Sequence, residues 1–154
     1  MKMSKILLLC AVLSFFTWGT AFAEIKATIN LPTIDANPGE QIEVPITVST
    51  NEAIGIAQFV VDYNKDVLTY ASASIGSDVP GFSVSNVNPN LPFSPATPGT
   101  NENVLVQVSG GGSNSFTGND KQVVILRFNV VGAGGASSPL AFDQNGSRTY
   151  LSTI

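Results

Sequence analysis

Apolar and polar residues alternate along most of this chain with a period of two. Ile25, Ala27, Ile29 and Leu31 alternate with Lys26, Thr28 and Asn30; Ile42, Val44, Ile46 and Val48 alternate with Gln41, Glu43, Pro45 and Thr47. Successive strand side chains point to opposite faces, so each set predicts a strand with one buried face. Pro45 has no N–H to donate and predicts an unpaired strand edge at its position. Gly55 to Tyr63 continues the pattern, with Phe59, Val61 and Tyr63 on one face. Weaker candidates run from Val67 to Ser74 and from Phe82 to Val87, and Val104, Val106 and Val108 mark another strand. Residues 122–131 (QVVILRFNVV) form the strongest, with Val124, Leu126, Phe128 and Val130 directed to the core. Leu140 with Phe142, and the stretch Thr149 to Ile154, complete the set. No segment shows a capped helical face. The chain therefore reads as all-β, a β-sandwich of jelly-roll topology with about nine strands. Two excursions interrupt it: residues 88–102, with four prolines, and the Gly- and Ser-rich residues 109–120. Neither flanks a second domain, and both read as surface loops.

The first residues follow another logic. Lys2 and Lys5 precede an apolar run from Ile6 to Trp18, and Ala21-Phe22-Ala23 stands before Glu24. Charged, apolar and small-residue regions in that order make a secretory signal peptide. The run is shorter than the roughly 20 residues a spanning helix needs. Cys10 lacks the small preceding residue of a lipidation site, since Leu9 stands there. The chain thus divides into a signal peptide, 1–23, and one β-sandwich domain, 24–154, exported to the cell envelope or beyond with no membrane insertion after cleavage.

Charge and composition then narrow the chemistry. All 11 acids lie beyond residue 23, against Lys26, Lys65, Lys121, Arg127 and Arg148, a net charge of −6. With no basic patch, nucleic acid is not an expected partner. The only cysteine is Cys10 and there is no histidine. Thiol nucleophiles, Ser-His-Asp triads and ordinary zinc sites are therefore excluded from the mature domain, as are disulfides. Carboxylate chemistry is what remains. Asp62-x-Asn64-x-Asp66 has the opening spacing of a calcium loop. However, Val67 takes the place of the turn glycine and Ala73 that of the closing acid, so a polar turn is the better reading. Glu40 with Glu43, and Asp62 with Asp66, are near in sequence but read as solvated surface acids and not as a glycosidase pair. Asn145-Gly146-Ser147 reads as a turn. No catalytic residue, metal or cofactor is expected.

From residue 38 the pattern is more specific. PGEQIEVPITVST gives a turn and a strand with an embedded Val-Pro, and IGIAQFVVDYNKDVLTYASASIG gives a strand, a Tyr-polar turn, a Val-Leu and a closing Gly. With KQVVILRFNVVG and SSPLAF further on, this resembles the cohesin family over nearly all the mature chain. The resemblance implies a non-catalytic β-sandwich that recognises a dockerin-bearing protein in extracellular polysaccharide degradation. The family's Tyr-Asp-Pro is here Tyr63-Asn64-Lys65, and the polar residue and acid that help grip a dockerin match Ile56 and Gln58.

If Phe59, Val61 and Tyr63 point inward, then Ile54, Ile56, Gln58, Val60 and Asp62 point outward. Exposed together, they would form a patch suited to a protein partner; covered by a loop such as 88–102, they would not. The alternative function is a carbohydrate-binding module, for which Phe82, Phe93 and Phe116 in exposed loops would supply stacking surfaces, since Trp18 leaves with the signal. A structural or adhesin subunit is a third reading.

Overall fold

The computed structural model describes residues 26–89, 91, 98–143 and 148–154, and every regular element among them is a strand. In chain order these are β1 (Ala27–Asn30), β2 (Gln41–Tyr63), β3 (Leu68–Ile75), β4 (Phe82–Asn88), β5 (Glu102–Gly110), β6 (Phe116–Val130), β7 (Ala141–Phe142) and β8 (Tyr150–Thr153). Residues 1–23, Phe93 and Asn145-Gly146-Ser147 lie outside the described residues.

The strands expected at 42–48 and 55–63 are one element. The first half of β2 pairs antiparallel with β1 and β6, and its second half with β5, β7 and β8. With β3 beside β6 and β4 beside β5, β2 belongs to both layers of a jelly-roll sandwich. The β1 ladder covers only Thr47–Thr50, so Pro45 sits where one edge of β2 has no ladder partner. The 109–120 excursion is shorter than expected, because β6 already begins at Phe116.

The core confirms most of the strand phase and corrects one part of it. Before the register shifts at Val48/Thr50 and Thr50/Ile54, the even residues Val44, Ile46 and Val48 face the core. After a further shift between Ile54 and Ile56, the odd residues Ala57, Phe59, Val61 and Tyr63 do. One irregular step reverses every following side chain. Ile54 therefore keeps the earlier phase and lies in the core, not on the outer face. Phe128 reaches from β6 across the layers, its ring 5.0 Å from Tyr63 and 6.0 Å from Tyr70. Burial, with Glu102 next in importance, pushes the Tyr63 hydroxyl up to about 12.

The turn after β2 is local polar structure. The Val67 and Leu68 N–H groups donate to Asn64 O, Asp66 N–H donates to Asn64 Oδ1, and Asp66 Oδ2 accepts from Asn101 Nδ2. Asn64 and Asp66 are thus engaged in the polar turn expected from the sequence.

Candidate functional site

The outer face of the β4–β5–β2–β8 layer is assembled by register. Directly paired residues share a face. Ile56 stands opposite Ser109 of β5 and Ser152 of β8, and Ser109 stands opposite Ser83 of β4. One row on, Gln58 stands between Gln107 and Tyr150, and Gln107 opposite Asn86. The result is a platform of small and amide side chains. Its two exposed large hydrophobics are Ile56, 37% exposed, and Tyr150, 40% exposed. The Gln58 amide donates to Arg148 O at 2.6 Å, which holds it half-buried.

Of the five residues expected on this face, only Ile56 and Gln58 reach the surface. Ile54 belongs to the core. Val60 and Asp62 do point away from the core but are fully buried, so the continuous patch expected from parity does not form. Residues beyond β7 lie against that end of β2: Thr149 Oγ1 accepts from Val60 N–H, and Asp143 N–H donates to Val60 O. Tyr150 is the surface residue that sequence pattern missed. A lone tyrosine at the start of a short strand gives no sign that β8 will dock beside β2.

Catalytic arrangements do not appear among the described residues. Glu43 is in an ion pair with Arg127 at 2.8 Å. Glu40 accepts from the Asn37 backbone and side chain, which lowers its pKa from the ordinary glutamate value. Asp62 is buried on the strand while Asp66 is exposed on the turn. Two clefts, of about 410 and 560 Å³, hold Asp35 as their only carboxylate. Among the described residues, no group of three Asp, Glu, His or Cys side chains is arranged to hold a metal. The expected stacking aromatics are also corrected: Phe82 and Phe116 are buried and meet edge to face at 5.5 Å.

A family model described as the cohesin domain matches residues 27–150. The chain belongs to the cohesin family. No curated protein matches the sequence. Among solved structures, this cohesin is similar to one from Clostridium acetobutylicum, with 18% identity, TM-score 0.59, and 82% of this chain and 79% of that chain covered. It is similar to a cohesin of Clostridium thermocellum solved as a type I cohesin–dockerin complex, with 18% identity, TM-score 0.54, and 76% and 81% covered. It is also similar to a non-cellulosomal cohesin of the archaeon Archaeoglobus fulgidus, with 16% identity, TM-score 0.52, and 80% and 82% covered. At these identities the likeness shows the shared sandwich fold.

Proposed function

We propose that this cohesin is an exported, non-catalytic module that binds a dockerin-type protein through the outer face of β8, β2, β5 and β4. The carrying observation is the exposed pair Ile56 and Tyr150 on a flat sheet face otherwise lined by Ser, Gln and Asn. Apolar anchors inside an uncharged polar surround suit a protein interface, and the absence of Lys and Glu from the two rows fits the depletion of those residues at interface cores. Ile54, Val60 and Asp62 would support the platform from below or from its end, while Ile56 and Gln58 would touch the partner. The family relationship and the dockerin-bound relative support this reading. The link to extracellular polysaccharide breakdown rests on the family resemblance alone.

The test is capture on a panel of immobilised dockerin modules. The native domain is expected to be retained by at least one. Ile56→Asp places a charge at the centre of the platform and should weaken that capture by tenfold or more, about 1.4 kcal/mol. Equal capture of the two proteins would remove this face from the proposal, and no capture by any dockerin would remove the partner class.

A further inference from the structure

The cleft of about 410 Å³ shares no residue with the platform, and the register of β1 explains why it opens. β1 stays on β2 only from Ala27, opposite Thr50, to Asn30, opposite Thr47. Two residues further along the same register, Pro32 would meet Pro45. Neither proline has an N–H to donate, so the ladder ends before them. β2 extends back to Gln41 without β1, while residues 31–37 run on with no turn or bend until Pro38-Gly39.

Two lengths of straight chain outside the ladders border the cleft: residues 32–36, and residues 136–140 ahead of β7. Among the described residues, the peptide groups of 31–36 make no hydrogen bond, and neither do those of Ser137 and Leu140. The second run is held in place by a side chain instead, with Ser138 Oγ accepting from Asn64 N–H at 2.8 Å. The floor is apolar. Leu68 and Val130 are buried there, and Ile34, Ile42, Val67 and Leu140 pack on the core yet stay half-buried. Asp35 lines the cleft and is exposed, and no Lys or Arg lines it.

We propose that this cleft receives an extended peptide strand from a partner chain, with alternate apolar side chains on the floor and a basic residue beside Asp35. Water can solvate the peptide groups of a single loop, but it leaves the half-buried side chains between the two runs uncovered. An extended segment answers both: its backbone pairs with the unpaired N–H and C=O groups, and every second side chain covers the floor. The volume is at the small end of ligand cavities, which span roughly 300–1,000 Å³, and suits a short segment and not a folded surface. Main-chain pairing supplies affinity, the floor selects alternate apolar positions, and the lone carboxylate favours Lys or Arg over an acid at one of them.

The experiment selects short random displayed peptides on the immobilised exported protein, with counter-selection on Ala136→Trp, whose indole fills the cleft. The selected peptides are synthesised, their binding is titrated by calorimetry, and exchange of the protein's amides is followed by NMR. Alternating apolar sequences with a Lys or Arg are expected, and they should slow exchange at the Thr33, Ile34 and Asp35 amides by roughly tenfold. Ala136→Trp should weaken binding by about tenfold or more, Asp35→Lys by about threefold, and Ile56→Asp on the platform not at all. Asp35 is exposed, so its variant reads the cleft even where Ala136→Trp disturbs the loop. Methylating alternate peptide nitrogens removes main-chain donors and should weaken binding by about tenfold. Selection that yields no peptide able to tell the native protein from Ala136→Trp overturns the site. Equal binding of the methylated peptides overturns strand pairing, and binding lost in Ile56→Asp but kept in both cleft variants overturns the proposal by placing the peptide on the platform.

Discussion

Phe128 shows how much stability one side chain concentrates in a domain without a covalent staple. It is fully buried and touches Tyr63 and Tyr70 through its ring faces and edges. Phe128→Ala is expected to cost about 3–5 kcal/mol, out of a usual domain total of roughly 5–15. Val131→Ala, at a position 56% exposed, should stay within about 0.5 kcal/mol. Urea titration of both variants checks this; coincident midpoints would contradict the assigned core. The burial of Phe128 was legible because it sits mid-strand among Val124, Leu126 and Val130 at period two. The burial of Asp62 was not. An acid at an outward phase reads as solvated, and nothing local announces that Asn103 of β5 and Ala141 of β7 will pair on either side of it.

At the scale of elements, the close approach of β3 and β6 depends on Gly76. Its N–H donates to Val123 O at 2.9 Å. A Cβ at this position would collide with the Gln122 carbonyl and come within 2.9 Å of Val123 C. Backbone cannot rotate out of the way as a side chain can, so Gly76→Ala should force the strands apart and cost about 1–3 kcal/mol. Gly111→Ala, where a Cβ would meet nothing within 4 Å, should be near neutral. Thermal melts of the pair test the assignment, and equal melting temperatures would refute it. The same scale explains the displaced patch. Alternation counted back from Phe59 puts Ile54 outside, but the register shift between Ile54 and Ile56 returns it to the core.

For the molecule as a whole, the expected export has a direct readout. In a secreting bacterial host, the exported product should have the mass of a chain beginning at Glu24, after Ala21-Phe22-Ala23. Ala23→Asp puts a charge where a small residue is needed and should leave the signal uncleaved. Recovery of native full-length protein in the membrane fraction would contradict this expectation. Residues 24–154 contain no cysteine, so the melting temperature of that span should not depend on reductant.

Sequence alone determined the fold class, the inward phase of Phe59, Val61 and Tyr63 and of Val124 through Val130, and the exclusion of thiol and histidine chemistry. These are local properties: alternation tells which face of a strand is apolar, and composition tells which reactive groups exist. Tertiary structure decided what lies beside each strand. It joined two predicted strands into β2 and shared that strand between layers. It set Tyr150 next to Gln58, buried Val60 and Asp62, and brought Asn103 opposite Asp62. Strand pairing is a contact between residues far apart in the chain, and a single irregular step in its register changes which side chains meet. Period-two alternation carries no record of either.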